Sequence, residues 1–128
     1  MKLLLDTHTF LWLVQGNPSL SAAAKSAIAD TENDLYLSVA SIWELAIKVG
    51  SGKLILNDEL EPLIEHWLSI AQIQLLEISK RHALFVATLP QHHRDPFDRI
   101  LIAQAFCEQQ TLVSVDAQFA AYQVPLIW

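Results

Sequence analysis

The sequence is short of cysteine, glycine and positive charge, and it has no long apolar run. Its one cysteine, Cys107, excludes a disulfide within the chain and fits a reducing compartment. Three glycines and five prolines leave no linker, repeat or low-complexity tract. Eight Lys and Arg stand against 14 Asp and Glu, a formal net charge of −6. That balance argues against a protein that coats nucleic acid electrostatically. It leaves room for an enzyme that grips nucleic acid locally, or one whose positive charge is supplied by metal ions. No apolar run approaches the length of a membrane span, and "MKLLLD" turns acidic too early for a signal peptide. A cytoplasmic protein with no membrane partner is expected. What is abundant is hydrophobic surface: 52% of 128 residues, against 17% charged, enough for one domain over residues 1–128 with a large core.

Short β-like runs alternate with longer helical ones. Strands are expected at residues 2–6, 34–38, 73–78, 111–116 and 124–128, and the nearly all-apolar "KLLLD" is what a strand buried on both faces requires. Helices are expected at 7–16, 18–30, 39–53, 58–72, 79–90 and from about 95 to 110, with a brief one at "AQFAAY". Gly16 suits a helix C-cap. Such alternation predicts an α/β fold, a parallel sheet covered by helices on both faces. In these sheets ligands sit beyond the carboxyl ends of the strands, where strand order reverses.

Four acids are placed to meet there. Asp6 and Asp116 each end a strand run, where an acid alone is most simply the N-cap of the next helix. Ser114, two residues before Asp116, shares its face on an extended chain. Glu44 lies within a helix whose apolar spacing (Ile42, Trp43, Ala46, Ile47, Gly50) puts it at the border of the buried arc, with Lys48 in reach at i+4 as a surface ion pair. In "HHRDPFDRILIAQA", Asp95 before Pro96 reads as the N-cap. Asp98 then has Leu101, Ile102 and Ala105 at i+3, i+4 and i+7, in the middle of the apolar face. Either it closes a capping box, or it serves a site. Converging carboxylates call for a divalent cation, and all-oxygen ligation suits Mg²⁺ or Mn²⁺. One or two such ions can activate water and assist displacement at phosphorus.

These segments resemble the PIN-domain ribonucleases, of the VapC toxin type found in toxin–antitoxin pairs. "LLLDTHTFLW" at 3–12 is similar to the family's opening, "SIWELAIKVGSGKL" at 41–54 to its second acidic segment, "RDPFDRILIAQA" at 94–105 to its third and "LVSVDAQF" at 112–119 to its last. The resemblance covers almost the whole chain. It implies a PIN-like three-layer sandwich with a parallel sheet of about five strands. It also implies an Mg²⁺- or Mn²⁺-dependent endoribonuclease, with Asp6, Glu44, Asp98 and Asp116 as catalytic and metal-binding residues. Asp6, Asp98 and Asp116 would hold one or two ions; Glu44 would bind the second or orient the attacking water. Thr7 and Ser114 would support them. The implied partners are an RNA substrate, a cognate antitoxin whose tail blocks the site, and a second copy in a homodimer.

Other residues carry weaker readings. Thr7 can bond Asp6 or a bridging water, or cap the first helix. His92 and His93 resemble metal ligands but, as a loop pair before a helix, read as solvated, and His8 reads as surface or packing. Arg94 and Arg99 can touch phosphate or be solvated or paired with Asp95. Trp12, Trp43 and Trp67 read as core or interface anchors, Trp12 with a dimer or antitoxin surface in view. Cys107 reads as packing. Two other functions compete: a catalytically silent PIN-like module that only binds antitoxin or RNA, and a receiver- or phosphatase-like domain. The receiver reading lacks the Lys it needs after the last strands.

Overall fold

The computed structural model describes residues 1–128. Five strands form one all-parallel sheet in the order β3-β2-β1-β4-β5: β1 (Lys2–Leu5), β2 (Asp34–Ser38), β3 (Ile73–Leu76), β4 (Thr111–Val113) and β5 (Leu126–Ile127). The chain steps outward from β1 to β2 and β3, then returns across β1 to add β4 and β5. The reversal therefore falls between β1 and β4.

Side-chain alternation on β1 divides the core. Leu3 and Leu5 point to one face, with Phe10 of α1 (Thr7–Gln15), Ala24 of α2 (Ala22–Ala29), Leu45 of α3 (Val39–Gly50) and Ile64 of α4 (Leu60–Ile70). Leu4 points to the other, under Leu101, Ile102 and Ala105 of α6 (Pro96–Glu108), with Phe85 of α5 (Lys80–Phe85) packed alongside. The result is the expected three-layer sandwich. All three leucines of β1 are fully buried, which explains an apolar run without polar alternation.

Elements end slightly inside the expected bounds, for identifiable reasons. Gly16, in the left-handed region at φ 62°, closes α1. Ser21 caps α2 through the Ala24 N–H, so the helix starts after Ser21 rather than at Pro18. The helix expected over 79–90 is α5 plus a 3-10 turn at Val86–Thr88, and "AQFAAY" is also 3-10.

The arc expected on α3 is corrected. Its buried residues are Ala40, Ser41, Glu44 and Leu45, whereas Trp43 and Ile47 are exposed, Trp43 by 59%. Glu44 thus lies within the buried stripe, and Trp43 is not a core anchor; its ring meets Phe97 edge-on at 5.0 Å. The apolar residues of α3 outnumber what one face can bury, so hydrophobicity alone misplaces the stripe. Trp67 is half-buried against the core, and Trp12 packs between His8 and Trp128. Cys107 is buried. No helix is long and apolar enough to cross a membrane.

Candidate active site

The carboxyl ends of β1 and β4 lie side by side, with Leu5 in register with Val113. Asp6 is the first residue beyond β1. Its N–H donates to the Val113 carbonyl, and its Oδ1 caps α1 by accepting the Thr9 N–H at 2.7 Å. The Ser114 hydroxyl donates to Asp6 Oδ2 and accepts the Asp116 N–H at 3.0 Å. One serine thereby ties the acids of the two strand ends together. Asp116 in turn caps the 3-10 turn through the Gln118 N–H. The cap readings of Asp6 and Asp116 hold, yet each carboxylate oxygen has two lone pairs, so capping does not exhaust them.

Asp98 comes in from α6. Asp95 is the N-cap, accepting the Phe97 N–H at 2.8 Å, with Pro96 at the first helical position. A capping box would have Asp98 accept the Asp95 N–H. That N–H instead donates to His93 Nδ1 at 3.2 Å, so Asp98 is free of the cap. Its Oδ2 lies 3.0 Å from His93 Nε2, and Asp116 Oδ2 lies 3.1 Å from the same nitrogen. His93, Asp98 and Asp116 offer ligand atoms within 4.8 Å of one another. His93 is therefore not a solvated loop residue. Its N–H donates to the Tyr122 hydroxyl at 2.7 Å, and its ring lies against Phe119. Local spacing puts only Asp95 and Asp98 within its reach; Asp116 and Tyr122, which draw it into the cluster, lie 23 and 29 residues away.

Glu44 approaches from α3, paired with Lys48 at 2.9 Å. One turn earlier, Ser41 accepts a hydrogen bond from Thr7 Oγ1 at 3.0 Å. Thr7 thus neither bonds Asp6 nor caps α1; it fastens the start of α1 to α3, the helix that carries Glu44. Arg99 is buried and turned away from the acids. Its guanidinium donates to the carbonyls of Val86, Leu89 and Pro90 and to the Tyr122 hydroxyl, so it neither meets phosphate nor pairs with Asp95. Arg94 and His92 are exposed, His92 with its ring edge on Tyr122.

Electrostatics mark the same place. Burial raises the Asp6 carboxyl above its ordinary range, against the hydrogen bonds from Ser114 and Thr9. Burial, and then the charge of Asp95, push Asp98 up to about 7; Glu44 and Asp116 add to the rise and His93 opposes it. Carboxylates gathered in this way are a donor set of hard oxygens, which suits a divalent ion such as Mg²⁺ or Mn²⁺. The largest cavity, about 590 Å³, opens at the amino edge of the sheet beside Asp34 and Gln74 and contains none of the four acids.

A parallel α/β sandwich with acids gathered beyond its switch point places them where ligands of such sheets bind. The PIN-domain family model matches residues 3–125, and the chain belongs to that family. Solved structures agree on the fold. A VapBC2 complex from Rickettsia felis bound to a promoter DNA fragment matches with TM-score 0.74 at 17% identity, covering 98% of this chain and 97% of that one. DNA-bound VapBC from Salmonella typhimurium matches with TM-score 0.73 at 16%, covering 98% and 96%. FitAcB from Neisseria gonorrhoeae matches with TM-score 0.67 at 20%, covering 97% and 95%. No curated protein matches the sequence.

Proposed function

We propose that this protein is a divalent-metal-dependent endoribonuclease, the toxin of a VapC-type toxin–antitoxin pair acting in the cytoplasm. The observation that carries the reading is the convergence of Asp98 and Asp116 beyond the β1/β4 switch point, with Asp6 joined to Asp116 through Ser114. Family membership and the toxin–antitoxin complexes among its structural neighbours support it.

In this reading Asp6, Asp98 and Asp116 hold the ion or ions, and Glu44 orients the attacking water or binds a second ion. Ser114 holds Asp6 and Asp116 at a fixed spacing, and Thr7 sets the height of Glu44 through Ser41. A bound divalent ion supplies a more acidic water and positive charge against the charge that builds at phosphorus. Buried carboxylates cannot supply that charge, and a chain of net charge −6 otherwise repels RNA. The partners are RNA, a cognate antitoxin that covers the acidic edge, and a second copy in a homodimer.

The test is cleavage of RNA by purified chain freed of antitoxin. Activity should require Mg²⁺ or Mn²⁺, stop with chelator, and fall at least about 100-fold in Asp98→Asn, the scale of losing one electrostatic group at a reacting centre. Equal cleavage by wild type and Asp98→Asn would end the enzyme reading and leave a silent binding module.

A further inference from the structure

His93 sits where an ion bridging Asp98 and Asp116 would sit. Its Nδ1 accepts the Asp95 N–H, so that nitrogen carries no proton and the neutral ring carries its proton on Nε2. Nε2 is 3.0 Å from Asp98 Oδ2 and 3.1 Å from Asp116 Oδ2. A ligating imidazole must turn a bare lone pair toward the ion. Here the nitrogen facing the acids is the one with the hydrogen, and the capping arrangement at Asp95 holds it so. Three groups fix the ring: the Asp95 N–H, the Tyr122 hydroxyl on the His93 N–H, and Phe119 against its side.

We propose that His93 is a competitor of the divalent ion and not one of its ligands: its Nε2–H bridges Asp98 and Asp116 and must swing away before an ion can bridge them. The proposal rests on the reading of Asp98 and Asp116 as ligands. The hydrogen bond takes the place of positive charge between two carboxylates that would otherwise repel. Its loss is a cost of ion binding, so His93 lowers the affinity of the site and sets the ion concentration at which it fills. The loop from Pro90 to Asp95 is the hinge, anchored at its start by Arg99 on the Pro90 carbonyl.

The experiment is Mn²⁺ binding to the full chain at one fixed pH, read from the electron paramagnetic resonance signal of free Mn²⁺. His93→Ala should bind on the order of tenfold more tightly, the cost of a hydrogen bond to a charged group. Unchanged or weaker binding overturns the proposal, and weaker binding makes His93 a ligand. Asp98→Asn separates the two readings. If it binds Mn²⁺ as wild type does, the metal-site reading falls and the competitor with it. If it loses Mn²⁺ while His93→Ala gains nothing, the competitor alone falls. A second measurement needs no variant: ¹⁵N-resolved imidazole signals of wild type under chelator should report His93 protonated on Nε2. They should then shift in step with Mg²⁺ saturation as the ring leaves. Signals unmoved at saturation, or Nε2 bare under chelator, overturn the proposal even if His93→Ala does not fold.

Discussion

Asp95 and Asp98, three residues apart, have opposite energetic signs. Asp95 satisfies an otherwise unpaired helix-start N–H, so Asp95→Ala should lower stability by about 0.5–2 kcal/mol in a thermal or urea melt. The same change removes the second-largest cause of the Asp98 shift, so carboxylate NMR should show Asp98 titrating at lower pH. Asp98→Asn behaves differently. Its amide oxygen can still accept from His93, while the mutual repulsion with Asp95, Glu44 and Asp116 disappears. Under chelator at neutral to alkaline pH the variant should therefore melt no lower than wild type, although it loses ion binding. A melt clearly below wild type would mean that the Asp98 charge stabilises the fold.

The helix α6 and the turn before it form one device. Pro96 and Asp95 set where the helix begins, and that start aims Asp98 at the sheet edge. Arg99, the next residue, faces the other way and gathers three carbonyls from the 86–90 segment. Removing it leaves buried carbonyls without donors, so Arg99→Ala should cost about 3 kcal/mol and lower the urea midpoint. Arg99→Lys should recover only part of this, since a single ammonium cannot reproduce the planar fork. A direct phosphate role would give the opposite pattern: normal stability with weakened RNA binding. On α3, Glu44 shares the buried side with Ser41, which Thr7 bonds, while Trp43 is exposed and meets Phe97 edge-on.

For the molecule as a whole, the raised carboxyls couple folding to pH. A carboxyl whose folded pKa lies above its unfolded value binds more protons when folded, so it opposes folding as pH rises through that window. For Asp98 the window runs from 3.8 to about 7, and Asp6 acts in the same direction. With chelator present, the contribution of these two groups should fall between about pH 4 and 7 and stay low above it. Added Mg²⁺ should raise the melting temperature much more at about pH 8 than at about pH 5, where protons compete for the same oxygens. Equal Mg²⁺ stabilisation at both pH values would place the ion away from Asp98.

Local pattern was sufficient for the five strands, the covered sheet and the Asp95 cap, because each depends on neighbours within a strand or a helical turn. Gly16, Asp95–Pro96 and the unbroken "KLLL" carry their structure in their own chemistry. Three features depended on residues distant in the chain. The buried side of α3 carries Ser41, bonded to Thr7 across 34 residues, and apolar content alone pointed to a different face. Arg99 turned inward because carbonyls of another segment needed a donor. His93 entered the acid cluster because β4 carries Asp116 to the edge where α6 begins. Periodicity reports which face of an element is apolar. Which polar groups meet across elements is set by the strand order that brings β1 and β4 together, and no local pattern encodes that order.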